Sequence, residues 1–201
     1  VSHELRTPLT SVKGFVENLL DGLTGPLNDK QQRYLGRIVD NVGRLIRMIT
    51  DLLDRTRIET GQLALSPAEV DIERCVAEVI EQLRSMAVEK HQTLTAEYPS
   101  STLIVWADRD RLIQIVTNLV QNAIKFTPES GSISVHVTTE QSTHATIRIC
   151  DTGPGIPPEF LEKIFDPFFR MAQEQRGASK GLGLGLSIVK TLVELHNGQI
   201  A

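Results

Sequence analysis

Apolar residues in the first sixty positions recur in steps of three and four. Leu5, Leu9, Val12, Val16, Leu19 and Leu23 make one run, and Leu35, Ile38, Val42, Leu45, Ile49 and Leu52 a second. This heptad seam predicts two amphipathic helices. Between them, Gly22-Leu23-Thr24-Gly25-Pro26-Leu27-Asn28-Asp29 is rich in turn formers, so residues 1–60 read as a helical hairpin. Two helices alone leave an apolar face on each uncovered. The simplest closure is a twofold dimer forming a four-helix bundle; the alternative is a hairpin packed on the rest of the chain. In this frame Leu5 takes a d position and His3 a b position, which turns His3 away from the seam. Pro8 lacks an N–H and crowds the preceding turn, so a kink just after His3 is expected.

The pattern changes after Thr60-Gly61 and Ser66-Pro67, and residues 61–69 read as a linker. Ile72 to Met86 has helical periodicity, Thr93 to Tyr98 and Leu103 to Trp106 read as short strands, and Arg109 to Lys125 is again helical. Ser132 to Thr138 alternates through Ile133, Val135 and Val137, and Ala145 to Cys150 through Ile147 and Ile149, as half-buried strands do. Strands interleaved with helices, with hairpin-like neighbours among them, give an α+β class. A helical hairpin is followed by an α/β sandwich over residues 70–201, with helices on one face of its sheet.

Composition narrows the partners. The formal net charge is −4, no basic stripe carries interleaved aromatics, and binding to nucleic acid is not expected. No segment approaches a membrane span and no signal peptide opens the chain, so this catalytic portion, whether or not it belongs to a membrane-bound sensor, is expected to be cytoplasmic and to make no membrane contact. Cys75 and Cys150 lie far apart in apolar surroundings and read as buried free thiols.

Three clusters in the second region carry chemistry. Asn118, Asn122 and Lys125 recur at helical spacing, so two carboxamides and an ammonium share a face that could hold a hydrated metal and a phosphate. The plain alternative is a solvated helix face. Asp151-Thr152-Gly153-Pro154-Gly155-Ile156-Pro157 follows a strand. Its glycines let backbone approach a flat ligand, and Asp151 can accept hydrogen bonds from an exocyclic amine such as that of adenine; the alternative is a turn. Gly181-Leu182-Gly183-Leu184-Gly185-Leu186-Ser187 opens an apolar helix, where unobstructed N–H groups and the helix dipole suit phosphate; the alternative is tight glycine packing. Ahead of it, Ile164 to Arg170 holds three phenylalanines, and Met171 to Lys180 is polar, like a lid hinged on aromatic anchors.

Taken together and in this order, Ser2-His3-Glu4-Leu5-Arg6-Thr7-Pro8, Asn118 to Phe126, Asp151 to Gly155, Phe165 to Phe169 and Gly181 to Leu186 resemble the H, N, G1, F and G2 boxes of the sensor histidine kinases of two-component systems. The resemblance spans nearly the entire chain. It implies a dimerising phosphoacceptor hairpin and an ATP-binding domain of the Bergerat type, with ATP and Mg²⁺ as ligands and a response regulator receiver domain as partner beside the homodimer. It places Asn122 as the Mg²⁺ ligand and Asn118 where hydrolysing relatives carry a glutamate that activates water; an amide cannot take that proton. Lys125, Arg170 and Lys180 are candidates to neutralise phosphate charge. Phe126 and Ile156 would line the adenine pocket with Asp151, and Gly153, Gly155, Gly181, Gly183, Gly185 and Leu186 belong to the nucleotide-binding loops.

The implied mechanism transfers the γ-phosphoryl group to His3 and then to an aspartate of the regulator. An unperturbed histidine, with a pKa near 6.5, is about three quarters neutral and nucleophilic at pH 7. Glu4 would hold the other ring nitrogen and accept its proton. Thr7, one turn beyond His3, would orient water against a phosphorylated regulator; the alternative is that it merely accompanies Pro8. Histidine would be needed at Thr7 for a zinc-protease motif. His91, His136, His144 and His196 lack partners at ligand spacing and read as surface residues, and Trp106 as a core or edge anchor. Leu182 departs from the family's usual hydroxyl residue. The chain stops at Gln199-Ile200-Ala201, where the family continues into a closing strand or two, and only two residues precede His3, so a truncated fragment of a larger receptor is expected. Two other functions stay open: a nucleotide-binding dimeric scaffold without turnover, and a gyrase-like ATPase.

Overall fold

The computed structural model describes residues 2–140, 144–171 and 182–201, and the side chains of all of these except Ser2, His3, Leu5, Arg6 and Glu140. The chain divides into two compact units, Val1–Leu63 and Ala64–Ala201.

The first unit is a hairpin of α1 (Ser2–Leu20) and α2 (Asp29–Glu59). α1 runs continuously across Pro8. Asn28 starts α2: its side chain accepts the Gln31 N–H while the Gln31 side chain accepts the Asn28 N–H, both at 2.9 Å. This reciprocal cap satisfies two donors at the helix start. Val16 and Val42 are buried, but the seam residues Val12, Ile38, Leu45 and Leu52 stay 41–51% exposed. One hairpin therefore covers only part of its own apolar stripe. Leu23 falls beyond α1, in the turn, and is exposed.

The second unit runs β1 (Ala68–Asp71), α3 (Ile72–Glu89), β2 (Thr93–Glu97), β3 (Ile104–Ala107), α4 (Arg109–Phe126), β4 (Ser132–Glu140), β5 (His144–Asp151) and α5 (Gly185–Leu195), with short 3-10 turns at Pro158–Phe160 and Lys163–Phe165. β2 pairs in parallel with β4, which pairs antiparallel with β5; β1 and β3 form a separate antiparallel pair. Alternation along β4 sends Ile133, Val135 and Val137 into a core shared with Val76, Val79 and Leu83 of α3 and Val116, Val120 and Ile124 of α4. Ile188, Val189 and Leu192 give α5 its buried stripe.

Several expectations change. β1 carries one apolar residue that is buried, Val70, too little for a strand signal, and it exists by pairing with β3. The successive strands β2 and β3 are not neighbours; each joins a different sheet. Cys75 is buried as expected, but Cys150 is exposed. β5 turns Ala145, Ile147 and Ile149 toward the core, so the period of two points Cys150 outward. The same parity puts Trp106 outside: Ala107 is buried while Trp106 is 71% exposed, so it is no core anchor. His196 is half-buried and bonded at both ring nitrogens, and is not a surface residue.

Candidate nucleotide site

α4 is fixed at its start by Asp108, whose carboxylate accepts the Asp110 and Arg111 N–H groups and, at 2.9 Å, the Ser66 N–H. Burial pushes this carboxyl up, but the three N–H bonds and the Arg111 charge outweigh it and hold the group below its ordinary value. The Asp108 N–H itself donates to His196 Nε2 at 3.0 Å, and His196 Nδ1–H donates to Leu192 O at 2.7 Å. The end of α5 is thereby tied to the head of α4.

Along α4 the apolar residues Leu112, Ile115, Val116, Val120, Ala123 and Ile124 are buried. Asn118, Asn122, Lys125 and Phe126 are half-buried on the remaining surface, and Lys125 Nζ stands 4.2 Å from the Phe126 ring centroid. The loop after β5 and the start of α5 meet this helix, and an aromatic segment is joined to the start of α5. The loop after β5 is anchored by Thr152, whose Oγ1 accepts the Ser132 N–H at 2.9 Å. Asp151 Oδ1 accepts the Gly153 N–H at 2.7 Å, and a Cβ on Gly153 would stand 2.5 Å from that oxygen and 3.3 Å from Phe126 O. Glycine is what lets this loop sit against the end of α4. Gly155, at φ +71°, and Ile156 continue the loop as exposed residues.

The aromatic segment is held from both sides. Phe160 and Phe169 rings lie 5.7 Å apart and Lys190 Nζ is 5.7 Å from the Phe165 ring. The Phe168 N–H donates to Gly183 O at 2.9 Å. Gly183 has φ +73°, and a Cβ there would fall 2.7 Å from Phe169 O and 2.9 Å from Phe168 C. Gly185, first residue of α5, faces Asn118 across 3.7 Å measured from an ideal Cβ to the amide oxygen. α5 begins without a side-chain cap at Leu184, and Leu186 is half-buried in its first turn.

The structure thus brings together Asn118, Phe126, Asp151, Gly153, Gly183 and Gly185, with Asn122 and Lys125 on the same helix. Arg170 is half-buried after the aromatic segment; Lys180 and Gly181 lie outside the described residues. His3 lies in the first turn of α1, its side chain outside the described atoms, and Glu4 and Thr7 are exposed there. Among the described residues no group of three His, Cys, Asp or Glu side chains could hold a metal ion. Sequence reading missed Thr152, His196, Lys90 and Gln92. Lys90 and Gln92 both cap the end of α4, and the available signal was Pro128, whose missing N–H leaves a helix carbonyl without its usual donor.

Comparison with known proteins agrees with this organisation. Residues 1–61 match the His Kinase A (phospho-acceptor) domain, and residues 107–201 match the histidine kinase-, DNA gyrase B-, and HSP90-like ATPase family. The sensor histidine kinase TmoS of Ectopseudomonas mendocina is 37% identical over all of this chain, which covers 20% of that protein. Full-length ShkA in complex with AMPPNP superposes with a TM-score of 0.73 at 32% identity, over 98% of this chain and 40% of that one. The histidine kinase ThkA in complex with the response regulator protein TrrA gives 0.64 at 28% identity, over 98% and 54%. The chain spans about half or less of the length of the curated relatives it matches.

Proposed function

The chain belongs to the sensor histidine kinases of two-component systems, and on that premise we propose that it is an ATP-dependent autokinase that phosphorylates His3 and passes the phosphoryl group to an aspartate of a response regulator. The observation that carries the reading is the convergence of Asn118, Phe126, Asp151 and the glycines at 153, 183 and 185 in one unit. The other unit carries His3-Glu4 at the head of a helix.

Each group has a task. The exposed Asp151 carboxylate keeps acceptor capacity for the adenine amine beside its bond to Gly153. Phe126 and Ile156 bound the base. The uncapped start of α5 presents N–H groups to phosphate oxygens, and Lys125 with Arg170 and Lys180 offsets their charge. Mg²⁺, a hard cation that takes oxygen ligands, would be held by the Asn122 amide oxygen beside the nucleotide phosphates. When bound it spreads charge over the transferring group. Neutral His3 attacks the γ-phosphorus, the bond to the bridging oxygen of ADP breaks, and Glu4 takes the ring proton. Asn118 offers no base for water, which favours the kinase over a gyrase-like ATPase. The uncovered seam of Val12, Ile38, Leu45 and Leu52 supports a homodimeric four-helix bundle. Thr7 supplies a phosphatase activity by orienting water on the phosphorylated regulator. No described helix is long and apolar enough to cross a membrane.

The test is incubation with Mg²⁺ and γ-labelled ATP, beside His3→Gln. Label that survives alkali, is lost in acid and is absent from His3→Gln is expected. Label on another residue type would sink the assignment, and nucleotide binding without label would favour the scaffold.

A further inference from the structure

At the end of α4 the Thr127 N–H still donates to Ala123 O at 2.9 Å, but the ladder stops one carbonyl later. Within a helix the Ile124 carbonyl is served by the N–H four residues on, but that residue is Pro128, which has none. The chain also leaves helical geometry at Thr127, with ψ 131°, so the helical ladder does not continue to the Lys125 carbonyl. Two side chains more than thirty residues away in sequence fill both gaps. Lys90 Nζ donates to Ile124 O at 2.7 Å and to Lys125 O at 3.0 Å. Gln92 Nε2 donates to Ile124 O at 3.1 Å and Thr127 O at 2.7 Å, and reaches Pro128 O at 3.3 Å. Gln92 is 6% exposed. The two corners interlock further: the Ser130 N–H donates to Lys90 O at 3.2 Å and the Thr93 N–H to Gly131 O at 3.0 Å.

What this cap holds still is the ledge of the nucleotide site. Lys125 and Phe126 are the last two residues of α4, and Phe126 O is the atom against which Gly153 rests. A cation at a helix C-terminus also meets the negative end of the dipole. We propose that Lys90 and Gln92 are positioning residues for nucleotide binding: from the corner between α3 and β2 they lock the end of α4, and so set the distance between Phe126 and the Asp151-Gly153 loop. They touch no nucleotide and act through the two carbonyls and the loop. The proposal rests on the reading of this site as an ATP site.

The experiment compares wild type, Lys90→Met, Lys90→Arg and Gln92→Leu for melting temperature and for KM and kcat of autophosphorylation with Mg-ATP. Lys90→Met keeps the aliphatic stem and removes the charge-assisted bonds, so KM for Mg-ATP is expected to rise roughly tenfold. Its kcat at saturation should stay within about twofold of wild type, because the lost contact acts on binding. Lys90→Arg, which can reach the same carbonyls, is expected to restore KM to within about threefold. Gln92→Leu should shift KM in the same direction. A folded Lys90→Met whose KM matches wild type, with only its melting temperature lowered, overturns the positioning role. A rise in KM that Lys90→Arg fails to reduce overturns it too. Wild-type protein that binds no Mg-ATP overturns the ATP reading itself, an outcome distinct from a wild type that binds and a Lys90→Met that binds equally well.

Discussion

Alanine at Gly183 would test whether the aromatic segment and the start of α5 form one preorganised latch. Two costs arise at that position. A residue with a Cβ held at φ +73° is strained by about 1–2 kcal/mol. The new Cβ would also stand 2.7 Å from Phe169 O, 2.9 Å from Phe168 C and 3.1 Å from Phe168 Cα. All three are backbone atoms that cannot swing aside, and overpacking of this kind adds roughly 1–3 kcal/mol. The latch includes the Phe168 N–H bond to Gly183 O at 2.9 Å, the Phe160–Phe169 contact and Lys190 over the Phe165 ring. None of its residues belongs to the main core cluster. The cost should therefore be relieved by local opening rather than global unfolding. Spread over the whole unit, a loss of about 3 kcal/mol would lower Tm by roughly 10 °C; a fall under about 3 °C is expected instead. Affinity for Mg-ATP, read by calorimetry, should drop about 10–100-fold, since each 1.4 kcal/mol of reorganisation is a factor of ten. Gly183→Asn carries the same Cβ but tolerates the left-handed region, so it should recover only the torsional part. Wild-type affinity and Tm in Gly183→Ala would refute the close approach. A full Tm loss with unchanged affinity in the folded fraction would refute the local latch.

Other positions give sharper single readings. Asp51 has a carboxyl pushed up from 3.8 to about 6, first by burial and then by the Asp54 charge, with Arg47 pulling the other way. A raised folded value means the folded state binds the proton more tightly, so its contribution is full below about pH 4 and lost as pH rises through 6. Asp51→Asn should remove that loss, gaining about 1 kcal/mol at pH 8 after allowance for solvent screening, in urea titrations at pH 4 and pH 8; equal differences at both would refute it. His91 sits at φ 54° just after α3, its side chain exposed, and His91→Gly should stabilise by about 0.5–1 kcal/mol, seen as a higher urea midpoint at unchanged slope. His196→Ala removes the acceptor of the Asp108 N–H and should cost about 1–2 kcal/mol; a neutral result would show that water replaces the ring.

The heptad runs and the alternation of β4 and β5 were plain in the sequence because each carries an apolar face of strict period, packed into the core along β4 and β5 and only partly covered within the hairpin. β1 was not, since Ala68-Glu69-Val70-Asp71 has a single buried position and forms only because β3 offers an edge. The motifs put Asn118 on a helix and Asp151 with Gly153 at a strand end, where the structure has them, but they do not say how these groups meet. That depends on contacts such as Phe126 O against Gly153, which spacing does not encode. Cys150 as a buried thiol, and Trp106 as a core rather than an edge residue, fail for a related reason: apolar character says a residue belongs to a strand, while parity with buried neighbours decides which face it takes. His196 reads as an unremarkable helix-end residue until Asp108, far away in sequence, is brought to its Nε2.

The parallel register of β2 with β4, Thr93 with Ser132 through Glu97 with His136, governs the order in which the chain can be completed during synthesis. The hairpin needs only near neighbours in sequence and can close as soon as α2 is out. β2 must wait for a partner about 40 residues downstream, a delay of a few seconds at roughly 5–20 residues per second. Through that interval its edge is open to other chains. Its brevity and its outward row of Thr93, Thr95 and Glu97, all exposed in the finished fold, make it a poor template for misassembly while α4 is laid down and β4 arrives.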